Sequence, residues 1–468
     1  MPMATTTKPC VNGAGSEVRL KFGMMGAGVR RLLIGILAVA GLTACGPRTE
    51  PYRTAPIPSP EGFRAAVPAG HTVYDNASLA DLFVLLTHGL ENGDSRKWLQ
   101  RFEEPVNVGM VGPGAGEYIP FLKDLLAEIR REAKVPISTG QGPHNLLIQF
   151  VPGEEFLPRT SNQCMVVFGQ PDWKTLIDNP MPYSGRATLT LDRQETMSVI
   201  IPDTIEPYKV RECLLEEITQ ALGTANDLYG LAFTIFNDDN AHSWPTRLDY
   251  LMLRLLYHPD MKSGLDRAET RRIALRLLDE LNPDGRNAPP LPAIKQKRFK
   301  TWRRELLSHD RIEDPVVAIT KARQLAGRAR RLAPDSVYDC TGATFLATVA
   351  RHYEAPDAPV LLDQALKLCA RVVGPEDIRI AQLRLQKAYF YLDEKNYSEA
   401  RREAEDIVEI FKAHALDGNV AAAYIIQTAA AWKLNDPNWD GQILQRAVAW
   451  SAFAYGDDHE LTLRLRPY

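Results

Sequence analysis

The sequence predicts an α+β domain followed by an all-α helical-repeat domain, and three observations carry that expectation. Between residues 106 and 201, short apolar runs of strand length are interleaved with segments of helical periodicity. Beyond Asn282-Pro283-Asp284-Gly285 and Ala288-Pro289-Pro290-Leu291-Pro292 no strand pattern recurs. Turn-forming segments then return roughly every 41 residues, the spacing of a helical-repeat array. These are Ala333-Pro334-Asp335-Ser336, Gly374-Pro375-Glu376-Asp377, Leu416-Asp417-Gly418 and Gly456-Asp457-Asp458. The 468 residues carry 55 Lys+Arg against 58 Asp+Glu, a net charge of −3. That length suits about two or three domains, and the balance gives no bulk electrostatic hold on nucleic acid, so no nucleic-acid partner is expected.

The N-terminus reads as an address. Val29-Arg30-Arg31 precedes an apolar run over 32–42 that is too short to span a bilayer and has the length of a signal-peptide core. Leu42-Thr43-Ala44-Cys45-Gly46 resembles the lipobox of bacterial lipoproteins, which implies cleavage before Cys45 and lipidation of that cysteine. Residues 1–44 are then a signal region, with Met24 or Met25 as the alternative start. By resemblance to Gram-negative lipoproteins, Gly46 after the cysteine implies an outer-membrane anchor and a body facing the periplasm. Residues 45–75, rich in Pro, Thr and Ser, read as the lipidated end and an extended tether.

A globular domain is expected over 76–281. Its predicted elements are helices over 78–90, 117–133, 210–222 and 247–257, and strands over 106–111, 146–151, 164–168, 187–191 and 197–201. Residues 282–293 read as a linker and 294–468 as helical repeats. The clearest unit runs through Ala388, Tyr391, Tyr397 and Ala400 and resembles a tetratricopeptide helix pair. Export permits disulfides, and Cys164, Cys213, Cys340 and Cys369 can pair in three ways. The domain layout favours Cys164–Cys213 and Cys340–Cys369. The basic stretch from Lys295 to Arg304 reads as an exposed helix face at the domain junction, and the glycines from Gly109 to Gly116 as a turn.

Chemistry is sought first on the segment Glu216-Glu217-Ile218-Thr219-Gln220-Ala221-Leu222-Gly223-Thr224-Ala225-Asn226-Asp227. At helical spacing, Glu216, Glu217 and Gln220 share a polar face, and Gly223 ends the helix. The segment can be laid over the zinc motif His-Glu-x-x-His-x-x-Gly-x-x-His. Glu216, Gln220 and Asn226 then take the histidine positions, Glu217 that of the general base and Gly223 that of the glycine. With no imidazole in the set, zinc is not expected; Ca²⁺ would be the fitting ion for such oxygens, but it needs six to eight ligands. No cofactor is therefore expected. The nine histidines include no pair at metal-ligand spacing.

With Pro105-Val106, Asn145 to Phe150, Ile235-Phe236-Asn237-Asp238 and Leu255-Leu256-Tyr257-His258-Pro259, this segment resembles the proteobacterial domain-of-unknown-function family 2927, composed mostly of predicted lipoproteins. The resemblance implies a zincin-like fold, similar to the metzincin peptidases, in which a methionine-containing turn underlies the metal. Thr234-Ile235-Phe236 would occupy that turn, with Phe in place of Met, and Asn237 and Asp238 would follow. The expected function is a non-catalytic peptide- or protein-binding scaffold of the cell envelope, anchored through Cys45, with a periplasmic partner held by the groove and the repeats. The alternative is an unconventional hydrolase of peptide or cell-wall material with Glu217 as general base.

Overall fold

The computed structural model describes residues 74–465 apart from 91–93, 157, 159–162, 181, 183, 229, 232, 238–242, 292–295, 308, 310–311, 437–440 and 458. Cys45, the signal region, the tether up to 73 and Asp238 lie outside the described residues.

Helix α1 (Asn76–His88) opens the first domain, capped by Asp75, whose carboxylate accepts from the Ser78 amide at 2.9 Å. A five-stranded sheet follows, built from β1 (Val106–Val111), β2 (Ile137–Ser138), β3 (Leu146–Val151), β4 (Met165–Phe168) and β5 (Met197–Pro202). Its order is β2-β1-β3-β5-β4, parallel throughout except for the edge strand β4, which runs antiparallel to β5. β5 is buried along its whole length, as a strand covered on both faces must be. Its alternation divides the core. Val199 and Ile201 face α2 (Ile119–Ala133) and α5 (Pro207–Ala221), whereas Ile200 packs with Phe156 and Leu176 from two short helices, α3 (Gly153–Phe156) and α4 (Trp173–Asp178). A disulfide joins Cys164, at the start of the edge strand, to Cys213 on α5.

Two further helices, α6 (Arg247–Leu256) and α7 (Arg267–Leu281), complete this domain, and α7 packs with α1 around a second apolar cluster. The expected linker is tied back onto this layer as far as Leu291. The Asp75 amide donates to the Pro289 carbonyl, and the Leu291 amide to the Ser78 hydroxyl, both at 2.9 Å.

The strand expected over 187–191 does not form; Gly185–Thr188 is a 3-10 turn. Its polar groups are spent on the loop before β1, where the Thr188 and Leu191 carbonyls accept from the Gln100 amide and the Leu189 carbonyl from the Lys97 amide. These carbonyls are thereby satisfied without a neighbouring strand.

The second domain is helical throughout the described residues: α8 (Gln296–Leu307), α9 (Pro315–Leu332), α10 (Val337–His352), α11 (Ala358–Val373), α12 (Ile378–Asp393), α13 (Tyr397–Ala413), α14 (Asp417–Lys433), α15 (Gln442–Tyr455) and α16 (Glu460–Leu465). Consecutive helices pack on one another. The turns between the pairs contain Asp335, Gly374, Ala415 and Gly456, all with positive φ, at the positions of the sequence period. Ala388 and Ala400 are fully buried, letting α12 and α13 approach, while Tyr391 and Tyr397 pack against the same cluster. Cys340 and Cys369 are bonded between α10 and α11. In the basic helix α8, Phe299 and Trp302 are buried; Phe299 stacks on Tyr338 with ring centres 3.6 Å apart.

Candidate functional site

Helix α5 follows β5 through Asp203–Glu206 and runs back across the sheet, which brings its last turn against Gln194 and Gln100, residues that precede β5 and β1. Leu214, Leu215, Ile218 and Ala221 enter the core, as the helical period requires. The last turn is closed by side chains from elsewhere. Gln194 donates to the Ala221 carbonyl, the Tyr257 hydroxyl donates to the Leu222 carbonyl at 3.0 Å, and the Thr224 hydroxyl donates to the Thr219 carbonyl at 2.8 Å. Gly223 then turns the chain with φ +127°, and a Cβ there would stand 2.5 Å from the Gln100 carbonyl oxygen.

The site residues expected from the sequence separate into two sets. Gln220 lies between carboxylates: its Nε2 is 3.1 and 3.3 Å from the two oxygens of Asp227 and 3.5 Å from Glu216 Oε1. Flanked in this way, the amide must present its N–H groups to the carboxylates and its oxygen elsewhere. Asn226 goes the other way. It is 1 % exposed, and its amide donates to the Leu85 carbonyl at 2.7 Å, locking the return loop to the end of α1, where Gly89 leaves the room for it. The residue that comes back onto Gln220 is therefore Asp227, the neighbour of the position matched to the third histidine. Glu217 is 6 % exposed.

The donor set does not fit the zinc that the fold resemblance implies. The amide nitrogen of Gln220 points at the two carboxylates, Asn226 is engaged with α1, and among the described residues no group of three His, Cys, Asp or Glu side chains is placed to hold a metal ion.

Thr234, Ile235 and Phe236 form a tight turn built around buried Asp249. The Thr234 hydroxyl donates to that carboxylate, as do the Ile235 amide at 3.2 Å and the Thr246 amide at 2.6 Å. Burial pushes the Asp249 carboxyl up to about 6 against these hydrogen bonds. Asn237 donates to the Leu231 carbonyl at 2.6 Å, and the Phe236 carbonyl accepts from the Leu228 amide at 2.7 Å. Ile235 and Phe236 are buried in the cluster shared by α1, α6 and α7.

Two further concave places were not anticipated. A groove of about 140 Å³ opens among α9, α10 and α11, floored by Ala326, Gly327 and Ala343 and flanked by Leu346, Leu361, Arg323 and Arg330. A smaller cavity, about 20 Å³, lies between the domains, where α5 meets α14 and α15. Its lining includes Arg211, Glu212, Ser243, Trp244, Asp417 and Phe453. The Arg211–Asp417 pair spans 206 positions of sequence, so no local pattern could have announced it.

No curated protein and no solved structure matches the chain. A family model does, over residues 76–275, and this stretch contains the whole sheet, α5 and the return loop. Residues 76–275 thus match the model of the family described as "Protein of unknown function (DUF2927)".

Proposed function

We propose that the chain is a lipid-anchored periplasmic binding protein, a degenerate zincin-like domain that retains a peptide groove joined to tetratricopeptide-like repeats that hold a second protein. The observation that carries the non-catalytic reading is the donor set itself: Glu216, Gln220 and Asn226 offer no imidazole or thiolate, and both amides spend their nitrogens on protein groups. Glu217 on α5 would then lack an activated water to deprotonate. The groove beside Arg323 and Arg330 supports a binding role for the repeats, since arrays of helix pairs offer extended concave faces to partner segments.

Three observations agree with an anchored, exported protein. The lipobox-like segment ends at Cys45, two disulfides suit an oxidising compartment, and among the described residues no helix is long and apolar enough to cross a membrane. Site-specific photo-crosslinking in intact cells tests the scaffold reading. A photoreactive residue replacing Leu346 in the groove should give a discrete adduct, one replacing exposed Arg402 on α13 should not, and Glu217→Gln should leave the adduct unchanged. No adduct from the groove position, or loss of it with Glu217→Gln, would count against the proposal.

A further inference from the structure

One guanidinium ties the two domains together by hydrogen bonds. Arg211, on the first half of α5, places Nε 2.8 Å and Nη2 2.5 Å from Asp417 Oδ2 at the start of α14, and Nη2 also donates to the Phe453 carbonyl on α15 at 2.8 Å. The same group lies 3.9 Å over the Phe453 ring. Beside it, Tyr208 meets Tyr455 edge-on with ring centres 5.7 Å apart, and the Tyr455 hydroxyl donates to the Gly418 carbonyl at 3.2 Å. The Arg211 and Asp417 side chains are only 11 % and 6 % exposed. An ion pair so enclosed is held by its partners and not screened by water.

A second carboxylate, Glu212, lies within the field of this guanidinium. Glu212 lines the same interdomain cavity, which has room for one water-sized group between the rings of Phe121, Tyr208, Trp244 and Phe453. Its Oε1 accepts from the Ser243 hydroxyl at 2.8 Å. Asp417 Oδ1, on the opposite wall, is buried with no hydrogen-bond partner. Lys209, the other cation acting on Glu212, is paired with Glu206 at 2.9 Å. With Glu212 neutral, the charges at the junction balance as Arg211 against Asp417. With Glu212 ionised, a second negative charge stands next to an unsatisfied carboxylate oxygen inside largely aromatic walls.

We infer that the docking of the helical repeats onto α5 is proton-linked through Glu212: the two domains are held together while its carboxyl is protonated and are loosened when it ionises. Protein burial, with Asp417 adding to it and Ser243, Lys209 and Arg211 opposing, pushes the Glu212 carboxyl up to about 7 from an ordinary 4.5. Asp417 is likewise raised by burial, against Arg211, so it favours docking in the same direction. The undocked state gives up the Glu212 proton first. Docking is therefore strongest where Glu212 is protonated in both states, weakens by up to tenfold per pH unit once the undocked state ionises, and changes no further above about 7. Arg211 and Glu212 lie one turn before Glu216 and Glu217 on the same helix. The candidate site and the repeat groove would thus behave as one body in acid and as two above neutrality, whatever either surface binds.

Hydrogen exchange on the full chain, corrected for intrinsic rates from pH 5 to 8, tests the inference at the amides of 207–213 and 417–423. Protection of these amides should fall about tenfold or more between pH 5 and 7.5. Glu212→Gln should stay protected across the range, and Ser243→Ala, which removes a hydrogen bond that favours the carboxylate, should move the transition to higher pH. PH-independent protection in the unaltered chain would overturn the inference, as would Glu212→Gln retaining the full pH dependence. If Glu212→Gln fails to give a native melting transition, the Ser243→Ala shift decides: an upward move supports the inference, and none or a downward one overturns it.

Discussion

At Gly223 the backbone takes a φ of +127° with the Gln100 carbonyl in the space a Cβ would fill, so conformation and packing both demand glycine. Gly223→Ala should cost about 2 kcal/mol or more of unfolding free energy, read as a lower urea midpoint at unchanged slope. Asp249 is the second decisive residue, because one buried carboxylate serves the Thr234–Phe236 turn and caps α6. Asp249→Ala strands those donors and should destabilise the first domain by about 2–4 kcal/mol in the same measurement. What was legible at this scale was periodic or local: Glu216 and Gln220 one turn apart on α5, and the stop at Gly223. The fate of Asn226 was not, because its partner, the Leu85 carbonyl, is 141 positions away and is fixed only when α1 docks.

Among the elements, α2, α5 and α6 and the buried strands follow from apolar spacing, since each must hide a stripe or a face from water. The 187–191 segment has the same apolar spacing yet forms no strand; its carbonyls are satisfied by Gln100 and Lys97, and competition for hydrogen bonds is invisible to a pattern of side chains. The basic run near α8 has the same lesson: its charges suggest a surface, but Phe299 and Trp302 anchor it beneath Tyr338. The disulfides staple pairs of elements. Cys164–Cys213 spans 49 residues and Cys340–Cys369 spans 29, so by loop-closure entropy each contributes about 3–4 kcal/mol. Unfolding under reductant should accordingly lower the urea midpoint of both domains, and Cys340→Ala with Cys369→Ala should lower only that of the second.

For the whole molecule, an α+β part followed by a many-helix region was legible, whereas the contact between the parts was not, being made by Arg211, Asp417 and Phe453 from distant segments. The same scale governs behaviour in acid. His88 is fully buried between the Arg96 carbonyl and the Thr270 hydroxyl, and burial lowers it to about 4. An unfolded histidine takes up its proton near 6.5 while the folded one refuses it, so this part of the stability is full above about 6.5 and is lost as pH falls toward 4. The urea midpoint of the unaltered chain relative to that of His88→Gln should therefore drop over that window, the opposing contribution of buried Asp249 cancelling in the difference.

The central claim, that the helix and return loop of the first domain bind without metal-assisted catalysis, is tested most directly by elemental analysis of the full chain isolated from the envelope without chelator, beside Glu216→Ala. The account predicts well under about 0.1 equivalent of any transition metal or Ca²⁺ in both proteins. About one equivalent in the unaltered chain, lost in Glu216→Ala, would contradict it and return Glu217 to the role of general base.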